Sequence, residues 1–209
     1  MSNDHEYSLL GGINRTQVGH ALAVIAAAVS GGIVYLLLRL VDLARHFGLN
    51  VNLPPEVLSL VGAGSVYGVL YWYLNRRAWR WSRLGSLLKL PDISGDWDCV
   101  GQTLDLNGQV LHNWQGRIKI VQSWNKLRVL LSTHQSSSTS IAAAIVCDKD
   151  GGYRLLYNYK NDPGIGEVQL RSHRGSADIG FSQDLRSAKG EYFNGYGRYT
   201  FGTLQLTRK

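Results

Sequence analysis

Two long apolar runs without charge constrain this chain more than any other feature. The first, Val18 to Leu38, holds no acidic or permanently basic residue over 21 positions, and the second, Val57 to Leu74, holds none over 18. Each run is long enough to cross the hydrocarbon core of a bilayer as a helix. A signal peptide is the alternative for the first run, but its flank lacks a strongly basic segment and a second run follows it. We therefore predict a two-helix transmembrane anchor within residues 1–91.

The basic residues beside these runs predict the orientation of the anchor. The loop between the runs carries Arg39 and Arg45, partly offset by Asp42 and Glu56. Five bases with no acid among them follow the second run: Arg76, Arg77, Arg80, Arg83 and Lys89. Because such clusters stay beside the anionic lipid of the cytoplasmic leaflet, we expect a multi-pass protein of the cell inner membrane with both termini cytoplasmic. Neither half of the chain is a polycation, so we expect inner-membrane lipid as a partner and no DNA or RNA polymer.

Small residues inside the two runs predict where helices approach closely. Gly64 and Gly68 form a G-x-x-x-G pair in the second run, and Ala28 and Gly32 form a comparable pair in the first. Lipid tails give helices no hydrophobic reason to associate, so close backbone contact between small residues must supply the attraction. These residues can pack the two helices of one chain, or they can join protomers in a homo-oligomer, and both can hold at once.

After Pro91 the pattern changes to short alternating runs separated by turn signals, which predicts a separate all-β domain over residues 92–209. Asn107-Gly108, Asp150-Gly151 and Asn194-Gly195 are typical hairpin turns. Strands joined in this way favour a meander, and a meander of this size most readily closes as a compact antiparallel up-and-down β-barrel of about eight strands. A β-sandwich is the alternative. The predicted fold class is therefore a membrane-anchored all-β protein.

Alternation along the strands predicts which side chains fill the barrel. The inward sets are Ile118, Ile120, Gln122 and Trp124; Leu127, Val129, Leu131 and Thr133; and Tyr153, Leu155, Tyr157 and Tyr159. Inward tyrosines are informative because a purely structural core would favour Phe or Leu, which have no polar atom to satisfy. Their hydroxyls either reach the mouth of the barrel and bind water, or contact a ligand. An eight-stranded barrel has room for one small ligand.

Polar residues predicted at the same mouth form the candidate ligand-binding set. Its members are Thr133, Ser136, Ser138, Asn161, His173, Tyr192 and Arg198. Together they could stack bases and bind phosphate oxygens. Arg198 has a second interpretation, because a two-residue turn at Asn194-Gly195 pairs Phe193 with Tyr196 and Glu191 with Arg198. That charged pair is an ordinary exposed ion pair if its face points outward, and it lines a cavity if the face points inward.

The sequence offers little for catalysis. It contains no G-x-S-x-G, H-E-x-x-H or P-loop motif and no Cys/His set with metal-ligand spacing, so we predict neither an enzyme nor a metal or cofactor site. His112, His134 and His173 lie on separate predicted elements and are expected at the surface or the mouth. Cys99 and Cys147 are expected to be reduced. The soluble domain is therefore interpreted as a sensor.

Beside the two apolar runs, several stretches of the chain carry a resemblance to a known family. They are ISGDW at Ile93 to Trp97, STHQSSSTS at Ser132 to Ser140, YNYKNDPG at Tyr157 to Gly164, LRSHRG at Leu170 to Gly175, KGEYFN at Lys189 to Asn194 and the final GRYTFGTLQLTR. In these stretches and in its architecture the chain resembles the two-transmembrane, β-strand-rich effectors of bacterial CBASS anti-phage systems. The resemblance implies a barrel that binds a cyclic dinucleotide made during infection, with Tyr192 and Arg198 near the nucleotide. It also implies assembly through the spans, disruption of the inner membrane and abortive infection. A constitutive membrane-anchored barrel for a lipid or small molecule, and an enzyme of envelope chemistry, are the alternatives.

Overall fold

The computed structural model describes residues 4–52, 54–148, 150, 152–167, 171–195 and 198–209. The chain forms two compact units. One unit is Ile13–Ala78, and the other combines Met1–Gly12 with Trp79–Lys209.

The first unit is a pair of apolar helical segments. Helix α1, Arg15–His46, begins after Asn14, whose side-chain oxygen accepts a hydrogen bond from the Thr16 amide at 2.9 Å. The second segment is divided into α2, Pro55–Leu60, and α3, Ala63–Arg76. Ser30 Oγ donates a hydrogen bond of 2.5 Å to the Val61 carbonyl at this break, which satisfies a backbone acceptor that the interrupted helix leaves free. Both segments are long and apolar enough to cross a membrane, so the predicted helical spans are confirmed. The break between α2 and α3 was not predicted.

The small residues of the two segments lie away from the contact between α1 and α3. The buried residues are Ala26, Ser30 and Val41 in α1 and Leu74 in α3. Ala28, Gly32, Gly64 and Gly68 are all exposed. A Cβ added at any of these three glycines would meet no heavy atom of the described chain within 4 Å. Packing within one chain therefore does not use these small residues.

The second unit begins with a short helical segment and continues as a sheet. Ala78–Arg80 forms a 3₁₀ turn and α4 spans Ser82–Leu88. The strands are β1, His5–Leu10; β2, Gly95–Leu104; β3, Val110–Gln122; β4, Lys126–Thr133; β5, Ser136–Cys147; β6, Tyr153–Pro163; β7, His173–Phe181; β8, Ser187–Asn194; and β9, Phe201–Arg208. From β2 to β9 each strand pairs antiparallel with the next, and β9 pairs with β2, so the sheet closes on itself. The predicted up-and-down barrel is confirmed, and the sandwich is not formed.

Strand β1 was not predicted, and it fills a seam in this barrel. Strands β4 and β5 pair directly only at Leu130–Ser132, next to their turn. Beyond that point β5 has a register irregularity between Ser140 and Ala142, and β1 occupies the gap. Tyr7 to Leu10 pair in parallel with Ala143 to Val146, while His5 and Glu6 pair with β4. The segment HEYSLL has few β-branched or aromatic residues, so only this long-range pairing makes it a strand.

One end of the barrel is filled by large side chains. Trp97, Ile118, Leu127, Leu155 and Ile179 are all at most 1% exposed. The inward faces predicted for β3, β4 and β6 are confirmed, because their members are buried or half-buried.

Trp97 is the largest of these five side chains. Its Nε1 donates to the Ile93 carbonyl at 3.1 Å, and its ring contacts Phe181 edge-on with the centroids 5.4 Å apart. The Trp97 ring is therefore fully buried, and its polar atom has a hydrogen-bond partner.

Neighbouring Cys99 is a free thiol, as expected, and burial raises the pKa of this thiol to about 12.

The predicted two-residue turn between β8 and β9 is wrong. Phe193 pairs with Phe201 and Glu191 pairs with Thr203, so Glu191 does not face Arg198. The Asn194 amide donates to the Thr200 carbonyl at 2.7 Å, which closes a longer connection. The register follows from burial, because it turns Leu204 and Leu206 into the core. Tyr196 and Gly197, which the prediction also paired, lie outside the described residues.

We expect Trp97→Ala to lower the free energy of unfolding by about 3–5 kcal/mol, because it leaves a large cavity in the packed end. Thermal melting of the full chain in detergent measures the effect. Phe193→Ala is the matched control, since Phe193 is 60% exposed on the outer face and its loss should change stability little. Equal melting temperatures for the two variants would contradict this assignment of the core.

Candidate ligand-binding cavity

A cavity of about 360 Å³ opens at the end of the barrel opposite to the packed end. Its size lies near the lower limit of small-molecule sites, about 300–1,000 Å³. All seven predicted ligand-binding residues line it: Thr133, Ser136, Ser138, Asn161, His173, Tyr192 and Arg198. The structure therefore brings the predicted set together, while their contact with a ligand stays a prediction.

Strand pairing explains how residues far apart in sequence meet here. Ser138 is the cross-strand partner of Asn161, which in turn is the partner of His173. All three are buried. At the β4–β5 turn, Thr133 Oγ1 donates to the Ser136 carbonyl and accepts from the Ser136 amide, both at 3.1 Å. This turn is therefore held by a side chain that also faces the cavity.

A connected set of side chains forms the wall on β2, β3 and β8. Thr103 Oγ1 lies 2.8 Å from the Tyr192 hydroxyl and 3.1 Å from His112 Nε2. Trp114 Nε1 donates to the Tyr192 hydroxyl at 3.3 Å. These bonds fix the orientation of Tyr192 from two sides. Thr103, His112 and Trp114 were not among the predicted site residues, although Trp114 shares the inward parity of Ile118 and Ile120 and could have been found by extending that alternation.

Two of the three inward tyrosines of β6, Tyr157 and Tyr159, line the cavity and are neutral. Burial raises the pKa of Tyr157, and the neighbouring Tyr159 raises it further. Burial also raises the pKa of Tyr159, with a second contribution from Tyr192 and a lowering one from Arg198. Tyr159 OH donates to Asn194 Oδ1 at 2.9 Å. The phenol of Tyr159 therefore already has a protein partner at the cavity wall.

The charge of the cavity suits an anion. Arg198 lines it, and its charge lowers the pKa of Tyr159, against the larger raising effect of burial. His112, His134 and His173 line it as well, so the three histidines lie around one mouth. Among the lining residues that the structure describes, none is acidic. Aromatic faces, neutral hydroxyls and amides, and one guanidinium are together suited to planar bases and phosphate oxygens.

The cavity lies far from the end of β1 and from the start of β2. Leu10, at the end of β1, pairs with Val146, near the end of β5 that is remote from the cavity residue Ser136. Gly95, at the start of β2, pairs with Ile120, whereas the cavity residue Thr103 lies near the other end of the strand. Both of these strand ends therefore lie at the packed end of the barrel.

Comparison with known proteins gives two family matches and one relative. Residues 88–208 match the family described as "Cap15, cyclic dinucleotide receptor domain", and residues 16–80 match "Cap15, TM helices". The chain is 42% identical over 204 residues to CD-NTase-associated protein 15 of Yersinia aleksiciae. This alignment covers 98% of the present chain and 97% of the relative.

Proposed function

The chain belongs to the Cap15 family of CBASS-associated proteins, and from that premise we propose that it is an anti-phage effector that binds a cyclic dinucleotide in its barrel cavity and disrupts the inner membrane. One observation carries the proposal: the cavity at one end of the closed barrel, within residues 88–208, gathers Arg198, polar donors and aromatic rings. Binding halts growth of the infected cell before phage matures.

The chemistry of the ligand matches the groups in the cavity. A cyclic dinucleotide presents two bases and two anionic phosphodiesters. Arg198 supplies a permanent positive charge for a phosphate, and the hydroxyl and amide groups of Thr133, Ser136 and Asn161 supply neutral hydrogen bonds. The aromatic side chains provide surfaces for stacking with a base.

We predict that Arg198→Ala weakens binding of the cyclic dinucleotide at least tenfold, because a hydrogen bond to a charged group contributes about 1.5–3 kcal/mol. Calorimetry of the full chain in detergent with a panel of cyclic dinucleotides measures the affinity. Arg174→Ala is the matched control, since Arg174 is exposed on the outer face of β7. Undiminished affinity in Arg198→Ala would remove that residue from the site.

The pairing of strand β1 supports placing both ends of the chain on the same side of the membrane. Residues before α1 and residues after α3 form one sheet, so the two helical segments must cross the membrane and return. The basic cluster after the second segment supports the cytoplasm as that side. A cytoplasmic barrel also has access to a nucleotide made inside the cell.

A C-terminal alkaline phosphatase fusion is therefore expected to be inactive, and a C-terminal green fluorescent protein fusion is expected to be fluorescent, because the C-terminus stays in the cytoplasm. A phosphatase fusion placed between α1 and α2, after Leu49, should be active in the periplasm. Periplasmic phosphatase activity at the C-terminus would overturn the topology and the access of the barrel to its signal.

The helices are proposed to act through assembly. A ligand changes assembly only if it interacts differently with the separate and the assembled protomers. The small faces at Gly64/Gly68 and Ala28/Gly32 are exposed, and a Cβ added at any of the three glycines would meet no neighbouring element of the described chain within 4 Å, which permits close packing between protomers. Ligand binding thus favours a homo-oligomer whose helices compromise the membrane.

Replacing both Gly64 and Gly68 with Leu is expected to leave nucleotide affinity within about twofold while removing membrane damage, because the larger side chains block close helix packing. Propidium uptake in cells that make the cyclic nucleotide measures the damage. Val69→Leu, at a neighbouring exposed position of α3, is the control and should kill normally. Undiminished uptake in the double variant, expressed and inserted normally, would exclude this helix face.

A further inference from the structure

Three aromatic rings at the cavity share one packing arrangement. Each lies across a glycine that is its direct partner in the neighbouring strand and that faces the barrel interior. The pairs are Trp114 with Gly101, Tyr159 with Gly175, and Tyr192 with Gly202. All three rings line the cavity.

The glycines supply space rather than unusual backbone conformation. A Cβ at Gly101 would lie 2.2, 2.3 and 2.7 Å from three atoms of the Trp114 ring. A Cβ at Gly175 would lie 2.5 Å from the Tyr159 ring and 2.6 Å from the Phe193 carbonyl oxygen, and one at Gly202 would lie 2.9 Å from the Tyr192 ring and 1.8 Å from the Gln102 carbonyl oxygen. At Gly175 and Gly202 a larger residue would therefore meet the backbone of a neighbouring strand as well as the ring. At Gly101 the three nearest atoms all belong to the Trp114 ring, so a larger residue there would push the ring away from the wall.

Trp114 differs from the two tyrosines in how much of its ring is accessible. Its three close atoms, Cε2, Cζ2 and Cη2, are nearly equidistant from the added Cβ, so the six-membered ring lies flat over Gly101. The opposite face of the indole therefore points away from the strand. Trp114 is half-buried, whereas Tyr159 and Tyr192 are buried.

Hydrogen bonding holds this ring in place. The Trp114 indole NH is bonded to the Tyr192 hydroxyl at 3.3 Å, and the two rings meet edge-to-face with centroids 5.8 Å apart. Tyr192 is held in turn by Thr103. The wall is therefore arranged before a ligand arrives, which reduces the ordering cost of binding.

We propose that the Trp114 face, seated on Gly101, is the platform on which one nucleobase of the ligand stacks. The inference rests on the proposed function, because it names a subsite of the same cavity. An indole offers the largest aromatic surface to a planar base, and stacking tolerates any base because each has a π face. Gly101 is a positioning residue: it has no side chain to offer the ligand, and it acts through the ring that it accommodates.

Calorimetry of the full chain with a cyclic dinucleotide tests the assignment. Trp114→Ala is expected to weaken binding about 5- to 150-fold, the range for loss of one base–aromatic stack, and Trp114→Phe should recover most of the loss. Gly101→Ala should weaken binding as well, because it displaces the ring. Gly180→Ala is its matched control, since a Cβ at Gly180 in β7 would meet only ordinary contacts, at 3.7 Å or more, and binding should stay unchanged.

The outcomes separate this inference from the proposed function. If the parent chain binds no cyclic dinucleotide, the proposed function fails and the platform fails with it. If the parent binds and Trp114→Ala binds within twofold of it, only the platform is wrong. Melting temperatures identify a variant that has lost binding only because it is unfolded. If Gly101→Ala unfolds, the comparison of Trp114→Ala with Trp114→Phe tests the proposal, because recovery of affinity by Phe requires an aromatic face. An equal loss of affinity in both Trp114 variants would overturn the proposal.

Discussion

The width of the closed barrel determines where a site can form, because the interior is only just large enough for the side chains that point into it. A cavity can exist only where those side chains are small, polar or held against the wall. Trp97, Ile118 and Leu155 occupy the interior at one end. At the other end, serines, threonines and inward glycines leave about 360 Å³ open. The site therefore depends on where large and small side chains lie along the strands, and Arg198 joins it from the connection between β8 and β9.

The cavity combines neutral polar groups with one fixed charge. Tyrosine side chains are already neutral near pH 7, and burial raises the pKa of Tyr157 and of Tyr159 still further. Arg198 is the permanent charge among the described lining residues. A site with neutral donors and one fixed cation can bind an anion without repelling the rest of the ligand.

Much of the barrel and most of the candidate site could be predicted because alternation fixes which face a residue occupies. Leu127 and Tyr157 are buried as their parity requires, and Thr133 and Asn161 meet at one mouth for the same reason. Other features depended on partners distant in sequence. The register of β8 against β9 follows the burial of Leu204 rather than the preference of Asn194-Gly195 for a tight turn. The importance of Trp114 depends on Gly101, and that pairing exists only once the strands are aligned.

The seam filled by β1 has a further consequence for the sheet. Without β1, residues 126–127 of β4 and residues 143–146 of β5 would lose their partners in β1 and present open backbone edges, because the direct β4–β5 pairing stops at Leu130–Ser132. Unpaired edges recruit strands from other chains. By covering these edges, β1 prevents the barrel from associating edge-to-edge with other chains. A fragment that starts between the helices and β2 therefore differs from the intact receptor, because it keeps the cavity residues but exposes an unpaired strand edge. Assembly of such a fragment would reflect pairing at that edge as well as any effect of the nucleotide.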